Sequence, residues 1–106
     1  MVTMEQIREV GLRIGEQFHP QRVVLFGSYA DGTATEDSDV DLLVVVPFEG
    51  KAVEKSVEIR LKAVPPFPVD LLVYAPDAIQ QRIAMGDAFL QDVLDHGKVL
   101  YEADHR

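Results

Sequence analysis

The sequence predicts an α/β domain built on a small mixed β-sheet with flanking helices. Two observations support this fold class. Short runs rich in valine and leucine alternate with longer segments whose apolar residues recur at helical spacing. Glycine and proline residues separate these runs, as is typical of turns. The length of 106 residues suits one domain with its own core, so residues 1–106 are predicted to form a single domain.

The predicted elements follow one another in the order α, β, turn, β, α, β, α, α, β. Thr3 and Gln6 have the spacing of a capping box and open the first helix. In the helix after the second strand, Val53, Val57 and Leu61 are predicted to face the core. The predicted strands are 22–26, 39–46, 69–74 and 98–101, the predicted helices are 3–17, 51–63, 76–84 and 87–95, and a single helical turn is predicted at 28–32.

Composition and charge exclude several classes of protein. The chain has no cysteine, which excludes disulfides and thiolate metal sites. Its net charge is −8, with 18 acidic and 10 basic residues, which argues against direct binding of long nucleic acid because such binding relies on clustered Lys and Arg. This charge is compatible with binding of a nucleotide through a bridging metal ion, or with binding of a basic partner protein. No apolar run approaches the roughly 20 residues that span a bilayer, so we expect a cytoplasmic protein that does not enter the membrane.

Two aspartates at the start of the second predicted strand stand out. The strand 39–46 is otherwise aliphatic, and a carboxylate such as that of Asp41 is costly among aliphatic side chains unless it is hydrogen-bonded, paired or bound to a metal. Because side chains alternate along a strand, Asp39 and Asp41 point to the same face with Cα atoms about 6.5 Å apart. Two such carboxylates can hold Mg²⁺, which prefers oxygen ligands.

The preceding strand ends at Gly27 and Ser28. A glycine turn that leads into a short helix would direct backbone N–H groups and the Ser28 hydroxyl towards an anion. A third carboxylate, Asp70, lies in the segment 69–73, which repeats the Val-Asp-Leu-Leu-Val of residues 40–44. The repeat indicates two strands with similar surroundings, so Asp70 is the natural third ligand.

Each of these features also has an ordinary structural explanation. Asp39 is compatible with a turn or cap at a strand end. Asp41 and Asp70 are compatible with half-exposed positions on an antiparallel sheet, and Gly27 with a simple turn. Taken together, the four positions favour a metal site. The three histidines stand singly in loop or terminal contexts, which favours surface positions over metal ligation; they are His19, His96 and His105.

The pattern resembles the signature of the DNA polymerase beta-like nucleotidyltransferase superfamily. It consists of Gly27-Ser28, ten intervening residues, Asp39-x-Asp41, and Asp70 on a later strand. More narrowly, residues 27–32, 38–44 and 97–102 resemble the minimal nucleotidyltransferases, or MNT-domain proteins. The likeness extends over about residues 20 to 102. It implies the nucleotidyltransferase (polymerase beta-like) fold and one minimal nucleotidyltransferase domain.

The resemblance also implies a reaction. Members of this family transfer a nucleoside monophosphate from an NTP to a hydroxyl and release pyrophosphate. By that likeness, Asp39 and Asp41 would bind two Mg²⁺ ions and Asp70 would bind the ion that activates the acceptor hydroxyl. Gly27 and Ser28 would contact the triphosphate, with ATP as the expected donor.

Finally, the resemblance implies a partner. Similar minimal nucleotidyltransferases pair with a HEPN-domain ribonuclease toxin, which they neutralise by binding it or by adenylylating a tyrosine hydroxyl. A hetero-oligomeric, Mg²⁺-dependent protein adenylyltransferase acting as an antitoxin is therefore the leading hypothesis. At Asp31 many members carry Arg or Lys, and an acidic residue there would oppose triphosphate binding. Two alternatives therefore stay open: an antitoxin that acts only by stoichiometric binding, and a free-standing small-molecule nucleotidyltransferase.

Overall fold

The computed structural model describes residues 1–103, which form a four-stranded mixed sheet flanked by helices; His105 lies outside the described residues. The predicted fold class is confirmed. Strand order is β3-β2-β1-β4, with β1 antiparallel to both β2 and β4, and β2 parallel to β3. The elements are α1 (Met4–Phe18), β1 (Arg22–Phe26), α2 (Ser28–Asp31), β2 (Val40–Val45), α3 (Ala52–Ala63), β3 (Val69–Tyr74), α4 (Pro76–Ala84), α5 (Ala88–His96) and β4 (Lys98–Glu102).

The core has two layers, one on each face of the sheet. Along β2, the even-numbered residues from Val40 to Val44 pack in one cluster with α1 and α3. Leu43 and Val45 pack in the other cluster with α4 and α5. This explains why β2 is aliphatic at every position except Asp41, since a central strand covered on both faces has no solvent side. None of the helices within residues 1–103 is both long and apolar enough to cross a membrane.

Helix α1 begins at the predicted capping box. The Thr3 hydroxyl accepts from the Gln6 backbone N–H at 3.2 Å, and the Gln6 side chain accepts from the Thr3 N–H at 2.8 Å. One apolar stripe of α1 packs on the sheet. Next to that stripe, Gly15 lets the helix approach β4, because a Cβ there would overlap the Tyr101 ring.

The predicted inward face of α3 is wrong. Val53, Val57 and Leu61 are exposed by 65, 49 and 72% respectively, whereas Ile59 and Ala63 are buried. The helix carries two apolar stripes, and the face that packs on the sheet is the shorter one. Glu58 and Lys62, one turn apart on α3, form a salt bridge at 3.4 Å.

Gly97, between α5 and β4, is required by close packing and not by its backbone angles. Its φ of −68° lies in a region open to any residue. A Cβ at this position would instead stand 2.5 Å from the Val24 Cγ1 atom and 2.5 Å from the Val93 carbonyl oxygen. The glycine therefore permits close packing of the α5 end on β1.

Candidate active site

The three predicted aspartates lie at one end of the sheet, where β2 and β3 begin; we call this end the carboxylate edge. Asp41 is opposite Asp70 in the parallel pair β2–β3 and opposite Phe26 in the antiparallel pair β1–β2. The neighbouring residues on the same face belong to the cluster under α4 and α5, so both side chains point to that face. Asp39 directly precedes β2 and lines a separate cleft with the start of α1 and residues 66–68. All three carboxylates therefore lie where β2 and β3 begin.

The carboxylates act on one another. The pKa of Asp41 is raised above its ordinary value, first because the side chain is partly buried and next because of the negative charge of Asp70. A hydrogen bond from the protonated Asp41 carboxyl to Asp70 and the charge of Asp39 contribute in the same direction. Such crowding of like charges is typical of sites that hold a cation or a proton.

Gly27 lies directly beside the Asp41 carboxylate. Its backbone angles, φ 75° and ψ −154°, belong to a region that is essentially restricted to glycine. A Cβ at this position would overlap the Asp41 oxygen Oδ2 and stand 3.2 Å from its Cγ. The glycine is thus required both by the turn and by the carboxylate.

Helix α2 presents backbone donors next to this glycine. The N–H groups of Ala30 and Asp31 donate to the Gly27 carbonyl oxygen at 3.0 and 3.1 Å. The first N–H groups of a helix have no partner inside it, so those of Ser28 and Tyr29 are directed out of α2. The Ser28 hydroxyl lies at the same helix start, as the sequence predicts.

Asp31 is engaged with its own loop. Its Oδ1 accepts from the Thr33 hydroxyl at 2.6 Å and from the Thr33 backbone N–H at 3.1 Å. These two hydrogen bonds lower the pKa of Asp31, so the carboxylate is ionised at neutral pH. The acidic residue at this motif position therefore keeps a fixed negative charge one turn from Gly27.

Two clefts adjoin the carboxylate edge. One, of about 250 Å³, is lined by Gly27 and Asp31 together with residues of α5. In its wall, the rings of Phe26 and Phe89 meet edge to face with centroids 5.7 Å apart. The other cleft, of about 320 Å³, contains Asp39. A larger hollow of about 410 Å³ lies at the opposite end of the strands and contains none of the three aspartates.

Sequence reasoning missed Phe89. This ring is 54% exposed, although it is large and apolar, and it stands in the first turn of α5 at the mouth of the cleft. Its only sequence signal is an aromatic residue shortly after the N-cap Asp87. His19 and His96 are exposed, as predicted, and His96 pairs with Asp92 at 2.9 Å.

Similarity to known proteins extends over most of the chain. The family model for the nucleotidyltransferase domain matches residues 5–99. A relative from Methanocaldococcus jannaschii, "Putative protein adenylyltransferase MJ0604", is 32% identical over 83 residues, which cover 76% of this chain and 78% of the relative.

Two solved structures share the fold. The complex described as "the toxin-antitoxin with AMP-PNP" aligns with a TM-score of 0.62 at 22% identity over 92% of this chain and 74% of that chain. A "putative nucleotidyltransferase from Sulfolobus solfataricus" aligns with a TM-score of 0.57 at 22% identity over 73% and 70% of the two chains. The polymerase beta-like fold implied by the motifs is confirmed. The chain belongs to the nucleotidyltransferase domain family.

Proposed function

We propose that the protein is a Mg²⁺-dependent nucleotidyltransferase that transfers AMP from ATP to a hydroxyl of a partner protein, a HEPN-type ribonuclease toxin that it thereby neutralises. The observation that carries the proposal is the meeting of Asp41 and Asp70 beside Gly27. The name of the archaeal relative and the toxin–antitoxin description of the fold neighbour support the reaction and the partner. Because ATP is the donor, we expect the reaction in the cytoplasm.

The residues at the edge fit a divalent cation. Asp39, Asp41 and Asp70 offer only carboxylate oxygens, the ligands that Mg²⁺ prefers. Burial and the repulsion by neighbouring carboxylates raise the pKa of Asp41, and a bound cation would offset both effects. Within residues 1–103, no three acidic or histidine side chains are already close enough to hold an ion. Asp39 is exposed, so its turn towards the other two disrupts no packing. When bound, two Mg²⁺ ions would supply charge neutralisation for in-line transfer.

Each residue then has a distinct task. The N–H groups of Ser28 and Tyr29 and the Ser28 hydroxyl would hold the triphosphate of the donor. Asp70 is exposed on the edge strand, so it is the carboxylate that an acceptor from outside reaches first. The acceptor oxygen would attack the α-phosphorus, its proton would pass to Asp70, and pyrophosphate would leave with the bond to the α-phosphorus broken.

The test is transfer to the partner. The protein encoded by the adjacent gene is incubated with this chain and Mg-ATP, and its intact mass is measured. The expected result is a gain of one AMP group on a hydroxyl side chain, lost with Asp39→Asn, Asp41→Asn or excess EDTA. A partner of unchanged mass, with the wild type and Asp39→Asn behaving alike, would refute the proposal.

A second candidate function rests on Asp31. The ionised carboxylate stands one turn from Gly27, where the triphosphate of the donor would bind. The negative charge of Asp31 would repel the negatively charged triphosphate and so oppose nucleotide binding. The protein would then neutralise its toxin by stoichiometric binding, with no transfer of AMP.

Three substitutions separate the two candidates. Asp31→Asn retains an oxygen acceptor for Thr33 and removes the charge. If the protein is an enzyme, Asp31→Asn tightens Mg-ATP binding in calorimetry and leaves transfer intact. If it is a binding module, the variants Asp41→Asn and Asp70→Asn still neutralise the toxin in cells, and this outcome would argue against catalysis.

A further inference from the structure

The edge of the sheet next to Asp70 is open. Among residues 1–103, β3 is the outer strand of the order β3-β2-β1-β4, and one row of its backbone groups has no neighbouring strand. The carbonyls of Pro68 and Tyr74 accept from the backbone N–H groups of Val40 and Val46 on the β2 side. Backbone groups of one residue in a parallel pair point to the same side, so the alternate residues of β3 direct their N–H and C=O groups to the open edge.

The residues of β3 whose backbone groups point away from β2 are Val69, Leu71 and Val73. Arg60 donates to the Val69 carbonyl at 2.6 Å, which closes the first position. Within residues 1–103, the N–H and C=O groups of Leu71 and Val73 take part in none of the hydrogen bonds outside the sheet ladder. The free part of the edge thus begins one residue after Asp70.

Beyond Asp70, this edge lacks the features that protect edge strands from pairing. From Leu71 to Tyr74, β3 keeps a regular register with β2 and contains no charged residue and no Pro. The other edge strand, β4, carries Lys98 and Glu102 and pairs with β1 across an irregularity. An unprotected edge is a template for strand addition, so β3 is the edge suited to a partner.

The open strand lies at the bottom of an apolar groove of about 440 Å³. We call it the β3-edge groove. Leu71 and Val73 lie along its floor, Val53 and Ser56 of α3 form one wall, and Ala78 of α4 forms the other. Strand and helix walls of this kind recur where extended peptides add to a sheet, since the backbone gives affinity and the walls receive alternate side chains.

Charges beside the groove indicate the character of its occupant. Four acidic residues adjoin a lining residue in the sequence, against two basic ones, Lys51 and Lys55; the acidic residues are Glu49, Glu54, Asp70 and Asp77. The whole chain also carries a net charge of −8. An extended segment with alternating apolar side chains and basic residues complements this surface, whereas a second copy of the chain would bring more acid.

We propose that the β3-edge groove binds an extended, basic and apolar segment of the protein acceptor by β-strand addition and so delivers its hydroxyl to Asp70. The delivery part rests on the proposed function; the strand addition does not. The backbone groups of Asp70 point towards β2 and those of its neighbour Leu71 point to the open edge, so Asp70 would form a non-hydrogen-bonded pair with the residue opposite it in an antiparallel addition. Such pairs have Cα atoms about 4.5 Å apart and side chains on the same face. A Ser, Thr or Tyr there would stand beside the Asp70 carboxylate.

The groove continues into the exposed stripe of α3. Val53 belongs to both, and Val57 and Leu61 extend the apolar surface along the helix. A partner whose segment enters the groove would therefore find further apolar contacts outside it. A peptide that fills only the groove does not require Val57, which supplies the control for the test.

The experiment uses the full chain without nucleotide or metal. The probe is a pool of synthetic ten-residue peptides with alternating apolar and basic residues and a central Tyr, Ser or Thr. Amide hydrogen exchange is followed by NMR. We expect at least one peptide to slow exchange at Leu71 and Val73 by tenfold or more, and its N-methylated form to have no effect. Val53→Lys weakens binding of that peptide at least tenfold, whereas Val57→Lys, one turn away on the same exposed stripe, leaves it unchanged.

Three outcomes would overturn the inference. The first is that no peptide of the pool protects these amides. The second is that Val53→Lys and Val57→Lys behave alike. The third is that the amides of Leu71 and Val73 become protected as the protein concentration rises, because a second copy then occupies the edge. Absence of AMP transfer would refute the proposed function and leave the strand addition standing, since binding is measured without ATP.

Discussion

Gly27→Ala tests the link between the turn and the carboxylate edge. The substitution places a Cβ in a backbone conformation, φ 75° and ψ −154°, that costs about 1–3 kcal/mol for a residue other than glycine. The same Cβ overlaps the Asp41 oxygen Oδ2 and lies 3.2 Å from Cγ. The backbone must therefore relax or the Asp41 side chain must turn away from its position between Gly27 and Asp70.

The expected loss of stability follows from the backbone cost. A change of about 1–3 kcal/mol lowers the melting temperature of a domain of this size by roughly 4–20 °C. The displaced carboxylate adds a functional loss, and we expect the affinity for Mg-ATP to fall about tenfold or more, which corresponds to about 1.4 kcal/mol. Urea unfolding measures the change in the free energy of unfolding, and calorimetric titration with Mg-ATP measures the change in affinity.

Gly86→Ala is the matched control. Gly86, between α4 and α5, also has a positive φ, 86°, but a Cβ there meets no atom within 4 Å. Its substitution should cost about 1–2 kcal/mol of stability and leave Mg-ATP affinity unchanged. If Gly27→Ala lowers affinity no more than Gly86→Ala, the contact between Gly27 and Asp41 has no role in nucleotide binding.

Three further predictions concern stability. The pKa of Asp41 in the folded protein is raised above its ordinary 3.8, so the folded state binds the proton more tightly than the unfolded state does. The stability of the metal-free protein therefore falls as pH rises through that pKa. Asp41→Asn should remove this fall, measured by urea unfolding with EDTA, and an unchanged pH profile would contradict the prediction. Thr3→Ala should lower the free energy of unfolding by about 1 kcal/mol through loss of the helix cap, whereas a neutral effect would show the cap to be unimportant. Gly15→Ala should cost about 1–3 kcal/mol by overpacking against Tyr101, and a stabilised variant would show that α1 can move away from β4.

The fold could be predicted from local patterns because the elements are short, regular and bounded by glycine, proline and capping residues. The sequence predicts the start of α1 from its capping box, the start of α4 from Pro76, and the strands from their composition. Each of these features depends on only a few neighbouring residues. The face of α3 depends instead on which stripe meets the sheet. Val53, Val57 and Leu61 form the more conspicuous stripe, yet Ile59 and Ala63 face the core, and no local pattern decides between them.

The candidate site shows the same division. Strand alternation is a local property, so the sequence alone predicts that Asp39 and Asp41 share one face and that Asp70 has similar surroundings. The contact between Gly27 and Asp41 depends on the pairing of β1 with β2, and the hydrogen bonds of Asp31 to Thr33 depend on the loop conformation. The open edge of β3 depends on strand order, which the sequence does not determine.

The metal site is tested most directly by a crystal structure with Mn²⁺ and a non-hydrolysable ATP analogue, in which anomalous scattering locates the metal. We expect metal bound by carboxylate oxygens of Asp41 and Asp70, with Asp39 turned towards it, and the triphosphate against the N–H groups of Ser28 and Tyr29. Metal or nucleotide bound elsewhere on the protein, or neither bound with the analogue in excess, would contradict the assignment of these carboxylates as the catalytic centre.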